Sequence, residues 1–308
     1  MMEKISMVIP CYNEEECIEI FYNEMEEIIK QLDCDLEYIF VNDGSVDSSL
    51  NIIKHLNSMD SKVKYISFSR NFGKEAAILA GLEAASGDYV GLMDVDLQDP
   101  PALVLDMYQG IKEGYDCVGS RRITRKGEPK IRSFFARMFY KIINRISDTH
   151  IIDGARDFRL MKRNVVQAIL DMKEVDRFSK GIFGYVGFNI KWIEYENVDR
   201  VAGNTKWSFK ALFRYAIDGI EDFSSFPLAF NRFMAIISFV ASLSILITII
   251  VFATLNKNIS LLLSLSAVLL FMFSLLFTGL AIQSAYIKKI YRQSKNRPIY
   301  IIKEAKLK

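Results

Sequence analysis

Cysteine is scarce in this chain: the four residues, Cys11, Cys17, Cys34 and Cys117, all lie in its N-terminal part. They form no CxxC motif and have no spacing typical of metal ligands, so we expect reduced thiols. A large excess of charge of one sign is also missing. The formal net charge of +2 argues against general nucleic-acid binding, and we expect no nucleic-acid partner.

Apolar residues are abundant, at 51% of the sequence, and they are concentrated near the C-terminal end. Residues 233–255 and 259–287 contain no charged side chain, and a spanning helix needs about 20 apolar residues. Only Asn256-Lys257-Asn258 separates the two runs, which predicts a transmembrane hairpin. The alternative is a pair of buried helices in a large soluble protein.

Basic residues flank this hairpin and predict its orientation. Arg232 precedes it, the connection holds only Lys257, and the second run is followed by Lys288, Lys289, Arg292, Lys295 and Arg297. The positive-inside rule then places both ends in the cytoplasm. We therefore predict a cytoplasmic domain over 1–204, interfacial amphipathic helices over 205–231, two spans within 232–288, and a cytoplasmic basic tail over 289–308.

The N-terminal part alternates short apolar runs with helical patterns. The runs predict strands at 5–9, 37–41, 63–68, 88–93 and 115–120, and the patterns predict helices at 14–32, 49–59, 74–85 and 103–113. This alternation predicts an α/β fold with a mostly parallel sheet and helices on both faces. A polar segment follows each strand, at the edge where such sheets bind ligands.

Three carboxylates follow the fourth predicted strand, in DVDLQDPP at 94–101. A divalent cation such as Mg²⁺ or Mn²⁺ relieves the repulsion of clustered carboxylates, so we predict Asp94 and Asp96 as metal ligands, with Gln98 as a further oxygen. The alternative role for such a cluster is a helix N-cap. We assign that role to Asp99, because Asp99-Pro100-Pro101 is typical of a helix start.

The segment NDGSVD after the second strand fits a nucleotide. Gly44 allows a tight turn, and Asp43 can accept hydrogen bonds from a base or a ribose. A turn that ends in a helix cap is the alternative. Arg70 and Lys74 are candidates for neutralising a diphosphate or holding the base, although either residue is more often a surface cation.

Residues 121–148 are basic and aromatic, which suits a membrane surface or a phosphate group. A solvated basic face is the alternative. A second such stretch, at 207–230, leads directly into the first apolar run.

A set of segments along the whole chain forms a specific pattern: VIPCYNEEE (8–16), VNDGSVDSS (41–49), SRNFGKEAAILAGL (69–82), DVDLQDPP (94–101), GSR (119–121), DGARDFRLMKR (153–163), RVAGNTKWSFKAL (200–212) and AIDGIEDFSSFPL (216–228). This pattern resembles that of family 2 glycosyltransferases of the GT-A fold. It is most similar to the polyprenyl-phosphate glycosyltransferases, such as bactoprenol glucosyltransferases, and more distantly to dolichol-phosphate mannose synthase.

The resemblance implies an integral enzyme of the inner or plasma membrane with a cytoplasmic catalytic domain. It would transfer a sugar, with inversion, from a UDP-sugar to polyprenyl (undecaprenyl) phosphate, giving a lipid-linked donor for surface glycans. Glucose and N-acetylglucosamine are the favoured sugars. The resemblance also implies a homo-oligomer such as a tetramer. The QxxRW motif of processive relatives is absent, which favours a single transfer.

The resemblance also implies roles for individual residues. The catalytic set is Asp96, Asp157 and Arg121, and the arginines for the acceptor phosphate are Arg121, Arg132 and Arg137. Arg200 and Lys206 belong to a loop that closes over the donor, although TKWS stands there where relatives often have SKY. The donor nucleotide is assigned to Pro10, Tyr12, Glu14, Asp43, Ser45, Arg70, Lys74, Asp94 and Val95.

Each assignment has an alternative. The arginines would otherwise contact anionic lipid headgroups, and Asp157 would otherwise form a salt bridge with Arg156 or Arg159. For the whole protein, the alternatives are a nucleotidyltransferase on the same kind of sheet, a non-catalytic membrane scaffold, and transfer to a different acceptor.

Overall fold

A computed structural model describes residues 3–123, 144–145, 152–196, 226–254 and 261–307. The strands are β1 (Lys4–Cys11), β2 (Asp35–Asn42), β3 (Val63–Phe68), β4 (Tyr89–Leu92), β5 (Cys117–Arg122), β6 (Ala155–Lys162), β7 (Ile190–Tyr195) and β8 (Ile302–Lys306). The helices are α1 (Ile18–Ile29), α2 (Ser49–Met59), α3 (Lys74–Ala84), α4 (Leu103–Lys112), α5 (Arg163–Asp171), α6 (Ser179–Tyr185), α7 (Phe226–Thr254) and α8 (Leu261–Ser294).

These elements form two compact units, an α/β unit that contains the strands and a helical unit that contains α7 and α8. The strands of the α/β unit make one sheet in the order β7-β5-β6-β4-β1-β2-β3-β8. The pairs β4-β1, β1-β2, β2-β3 and β5-β7 are parallel, whereas β6 and β8 run antiparallel to their neighbours. The predicted mostly parallel sheet is therefore confirmed.

The central strands are buried on both faces, which explains their nearly continuous apolar sequences. In β1, Ile5, Met7, Val8 and Ile9 are fully buried. Helix α3 packs closely on this strand at Gly81, which has no side chain. A Cβ atom at this position would lie 2.2 Å from Cγ1 of Val8. A larger residue at Gly81 would push the helix away from the sheet.

Glu37 of β2 is a buried charge that joins neighbouring strands. Its carboxylate accepts hydrogen bonds from Nζ of Lys4 at 2.7 Å, from Nζ of Lys64 at 2.6 Å, and from the backbone N–H of Ser86 at 2.9 Å. Burial alone would raise the pKa of Glu37, but the hydrogen bonds from the two lysines and Ser6 hold it well below its ordinary value. The carboxylate is therefore ionised and paired within the sheet.

Strand direction decides which residues share an edge. Strands β1 to β5 run parallel, so their carboxyl ends lie at one edge of the sheet. Strand β6 runs opposite to β4, with Arg159 paired to Leu92, so β6 brings its amino end to that edge. The antiparallel strand β8 does the same at the other side of the sheet. We call this edge the ligand edge.

In the helical unit, α7 and α8 pack against each other, and they contain residues 233–254 and 261–287 of the two uncharged runs. By length and composition, Pro227–Phe252 and Val268–Ser294 are candidate membrane spans. Residues 205–225 of the predicted interfacial segment lie outside the described residues. Within the predicted basic tail, α8 continues to Ser294 and residues 302–306 form β8, a strand that sequence analysis missed.

Candidate functional site

A lysine between two carboxylates forms the centre of the ligand edge. Lys74 is the first residue of α3, and its Nζ lies 2.7 Å from Oδ1 of Asp94 and 2.6 Å from Oδ2 of Asp157. Asp94 follows β4, whereas Asp157 lies near the amino end of the antiparallel β6. Three segments that are distant in sequence thus place two anions and one cation in direct contact.

Burial and ion pairing shift the pKa values of Lys74 and Asp157 in opposite directions. Burial alone would lower the pKa of Lys74, but the attraction of Asp157 and Asp94 outweighs it and raises that pKa above its ordinary value. For Asp157, burial would raise the pKa, but the nearby charges of Lys74 and Lys180 lower it below its ordinary value. The pair is therefore held as an ammonium and a carboxylate.

The predicted metal ligands lie on a turn with an unusual backbone. Leu97 is buried and has a φ of 55°, a conformation that is rare for a residue with a side chain. This turn directs the N–H of Gln98 to Oδ1 of Asp96 at 3.3 Å. Asp96 itself is only 5% exposed, so its carboxylate is held within the protein.

These side chains fit a hard cation in chemical type. Carboxylates and an amide oxygen are ligands that Mg²⁺ and Mn²⁺ accept, and Mg²⁺ sites complete their coordination with water and substrate phosphate. Within the residues described, however, no group of three or more His, Cys, Asp or Glu side chains could hold a metal ion. Any cation at Asp94 would also have to share that carboxylate with Lys74.

The assignment of Asp99 as a helix cap is wrong. The N-cap residue of α4 is Ala102, and Ala102 makes no side-chain hydrogen bond that would cap the amino end of α4. The buried carboxylate of Asp99 instead accepts hydrogen bonds from Nε of Arg156 at 3.0 Å and from the hydroxyl of Tyr195. Nη2 of Arg156 also reaches Oε1 of Gln98 at 3.4 Å. Sequence analysis missed Arg156 and Tyr195 in this role because the partners lie on separate strands.

Asp43 joins the segment after β2 to the loop after β3. It is 3% exposed and accepts the N–H groups of Phe72 at 2.6 Å and Gly73 at 2.9 Å. Burial raises its pKa above the ordinary value, although these hydrogen bonds act in the other direction. Gly44 has a φ of 66°, and a Cβ there would lie 2.3 Å from the carbonyl carbon of Arg70. The two segments therefore require glycine at this position.

The loops after β1 and β2 are also joined to each other. The N–H of Asn13 donates to Oγ of Ser45 at 2.9 Å, and the N–H of Glu14 donates to Oγ of Ser49 at 2.8 Å. The other residues assigned to the donor lie at the same edge: Pro10 is near the end of β1 and Tyr12 follows it, both half-buried, while Val95 is buried and Arg70 is exposed.

Arg121 is the one predicted acceptor arginine within the residues that the structure describes. It lies near the end of β5, half-exposed, where Nη1 is 3.1 Å from Oε1 of Glu194 and Nε donates to the carbonyl oxygen of Asp153 at 3.2 Å. Arg132, Arg137, Arg200 and Lys206 lie outside the described residues.

The fold and the ligand edge define an α/β protein with its candidate site at the carboxyl ends of parallel strands, where such folds bind ligands. The family model described as "Glycosyl transferase family 2" matches residues 6–170, more than half of the chain. The chain therefore belongs to glycosyl transferase family 2, and it is a glycosyltransferase.

Relatives match nearly the whole chain. A putative glycosyltransferase CsbB of Bacillus subtilis (strain 168) is 43% identical over 98% of this chain and 92% of its own length. The bactoprenol glucosyl transferase of Shigella phage SfV is 40% identical over 99% of this chain and 100% of its own. A prophage bactoprenol glucosyl transferase homolog of Escherichia coli (strain K12) is 37% identical over 98% of this chain and 99% of its own length.

Proposed function

We propose that this protein transfers one sugar, with inversion, from a UDP-sugar to the phosphate of a membrane-held polyprenyl phosphate such as undecaprenyl phosphate. The observation that carries the proposal is the extent of similarity to the phage SfV bactoprenol glucosyl transferase. It covers 99% of this chain and all of the relative, so it includes both candidate membrane spans. The name of that relative favours glucose, with N-acetylglucosamine as the second sugar.

The donor half of the proposal rests on the segments joined by Asp43. The turn at Gly44 and the loop that carries Arg70 and leads into Lys74 of α3 form one hydrogen-bonded unit at the ligand edge, and a nucleoside diphosphate needs such a surface of donors and cations. Asp94, Asp96 and Gln98 would hold Mg²⁺ or Mn²⁺ there. Such a cation stabilises the charge that develops on a departing diphosphate.

The acceptor half rests on the chemistry of a phosphate nucleophile. A phosphomonoester has a second pKa near about 6, so its oxygens are largely ionised at neutral pH and need little help from a base. Arginine side chains match phosphate oxygens in a fork-like geometry, and Arg121, Arg132 and Arg137 are the proposed partners. Arg121 would exchange its half-exposed pairing with Glu194 for the phosphate.

Asp157 is proposed as a positioning residue rather than a proton acceptor. Its carboxylate is already engaged by Lys74 at 2.6 Å, and that contact holds it in the charged form. The loop with Arg200 and Lys206 is proposed to close over the bound donor.

An acceptor that stays in the bilayer requires an enzyme held at the membrane. We therefore propose that α7 and α8 cross the plasma or inner membrane as a hairpin, with the α/β unit in the cytoplasm, residues 205–231 at the interface and the basic tail on the cytoplasmic side. A homo-oligomer, such as a tetramer, is part of the same proposal. The lipid-linked sugar would then serve as a donor for surface glycan modification.

The test is transfer from a panel of radiolabelled UDP- and GDP-sugars to undecaprenyl phosphate by the full chain in detergent, with Mn²⁺ or with EDTA. We expect one UDP-sugar to label the lipid in a metal-dependent reaction. Asp96→Ala should lower the rate by at least about a hundredfold. Asp106→Ala removes an exposed carboxylate of α4 and should retain full activity.

The possible results separate the alternatives. Folded protein that labels no lipid with any donor would contradict the polyprenyl phosphate acceptor. Label that appears in another product would indicate a different acceptor, and binding of no nucleotide at all would favour a non-catalytic scaffold.

A further inference from the structure

The segment that leads into the C-terminal strand contacts the loop that joins β3 to α3, which we call the donor loop (residues 69–73). Strand β8 follows α8 in the chain and pairs with β3, with Ile302 opposite Phe68. The pairing extends one step beyond β3, because the N–H of Ser69 donates to the carbonyl oxygen of Ile301 at 3.0 Å. The first residue of the donor loop is thus held by the C-terminal segment.

An aromatic series continues this contact into the donor loop. The ring of Tyr300 stacks on Phe68 with centroids 4.8 Å apart and an interplanar angle of 16°. Phe68 in turn meets Phe72 of the donor loop edge to face, with centroids 5.8 Å apart. The hydroxyl of Tyr300 also donates to Glu83 of α3, the helix that follows the loop. Tyr300 therefore contacts the elements on both sides of the loop.

Phe72 connects this series to two residues of the proposed donor site. Its N–H donates to Asp43 at 2.6 Å, and the guanidinium carbon of Arg70 lies 4.0 Å from the centroid of its ring. Displacing Phe72 would therefore move both the backbone partner of Asp43 and the surface on which Arg70 rests. Aromatic pairs of this kind prefer defined geometries, so the ring of Tyr300 holds the ring of Phe68, and Phe68 in turn limits where Phe72 can lie.

We infer that Tyr300 is a positioning residue for the donor nucleotide: through Phe68 and Phe72 it sets the conformation of the donor loop and hence the affinity for the nucleoside diphosphate. The inference rests on the proposed function and deepens it, since it assigns part of donor recognition to the segment that follows the second candidate span. A residue that acts in this way changes nucleotide affinity while leaving acceptor affinity intact.

The experiment compares Tyr300→Leu, Tyr300→Phe and wild type as full chains in detergent. The dissociation constant of UDP is measured by calorimetry with Mn²⁺, and KM for the donor, KM for the lipid and kcat are measured by transfer. Tyr300→Leu should raise the UDP dissociation constant and the donor KM by about five- to tenfold, with lipid KM and kcat within about twofold of wild type. Tyr300→Phe keeps the stacked ring, so its UDP affinity should stay within about twofold of that of wild type.

A matched control lies on β8, four residues after Tyr300. Glu304→Gln breaks the ion pair with Lys54, in which Glu304 Oε2 lies 2.7 Å from Nζ of Lys54, without touching the aromatic series. It should leave UDP affinity unchanged. If Tyr300→Leu does not fold, Tyr300→Met takes its place, because it fills similar volume without an aromatic face.

Equal UDP affinity in wild type and a folded Tyr300→Leu or Tyr300→Met variant would overturn the inference alone. The same holds if donor KM, lipid KM and kcat all change together, because that pattern indicates general destabilisation. A wild-type protein that binds no UDP would overturn both the inference and the proposed donor.

Discussion

Replacing Lys74 by methionine tests the central group of the ligand edge, because it removes the ammonium group that lies between Asp94 and Asp157. Each carboxylate oxygen lies 2.7 or 2.6 Å from the same nitrogen, so the two oxygens are at most about 5.3 Å apart. At an effective dielectric constant of about 20, two unit charges at that distance repel by about 3 kcal/mol. Truncating one partner of a largely buried ion pair has a measured cost of about the same size.

The assay is thermal unfolding of the full chain in detergent. For a domain of about 150–250 residues, such as the α/β unit, 1 kcal/mol corresponds to a shift in Tm of about 2–4 °C, so Lys74→Met should lower Tm by about 6–12 °C. The double variant Lys74→Met/Asp157→Asn removes one of the repelling charges and should recover at least half of this loss. Lys30→Met removes an exposed lysine paired with Glu27 and should cause no measurable shift.

The reasoning would be refuted by Lys74→Met protein that melts within about 2 °C of wild type. It would also be refuted if the effects of Lys74→Met and Asp157→Asn were additive, because two residues that share one electrostatic contact should be coupled.

Two further predictions concern stability and loop geometry. Glu37→Gln should lower the free energy of unfolding by about 3 kcal/mol near neutral pH. The folded pKa of Glu37 lies below its ordinary value of 4.5, so the stability difference between wild type and Glu37→Gln should persist above pH 4.5 and shrink as the pH falls below it. Thermal melts at several pH values measure this difference. A difference that stays constant or grows as the pH falls would contradict the pairing. Gly44→Ala should lower Tm and weaken UDP binding about tenfold or more, because its Cβ would lie 2.3 Å from the carbonyl carbon of Arg70. Gly114→Ala, also at positive φ but with no atom within 4 Å of its Cβ, should leave UDP affinity unchanged, and equal behaviour of the two glycine variants would argue against the close approach.

Local sequence patterns were sufficient for the first five strands. The apolar run at 5–9 lies within β1, Lys4–Cys11, and the run at 63–68 coincides with β3, Val63–Phe68. Strand β1 is buried between the parallel strands β2 and β4, and such a strand carries a nearly continuous apolar sequence that is visible without a structure. The polar segments that follow these strands are found at one edge because parallel strands end there together.

The interactions around Asp99 had no comparable signal. Asp99-Pro100-Pro101 has the local pattern of a helix start, yet Asp99 is paired with Arg156 and Tyr195 from two other strands. Residues that are so far apart in sequence meet only once β6 and β7 have joined the sheet. The local pattern of a helix start therefore predicted a helix N-cap for a carboxylate that binds Arg156 and Tyr195 instead.

The sequence by itself determined the alternation of strands and helices, the two long apolar runs and the carboxylates that follow β4, because each depends on hydrophobic periodicity or on neighbours in the chain. Its motifs also identified the family. The tertiary structure alone decided that Lys74 lies between Asp94 and Asp157, and that β8 returns to the edge of the sheet with Tyr300 against Phe68. Both arrangements depend on strands that run antiparallel to the rest, and strand direction is set by packing across the whole sheet rather than by any local segment.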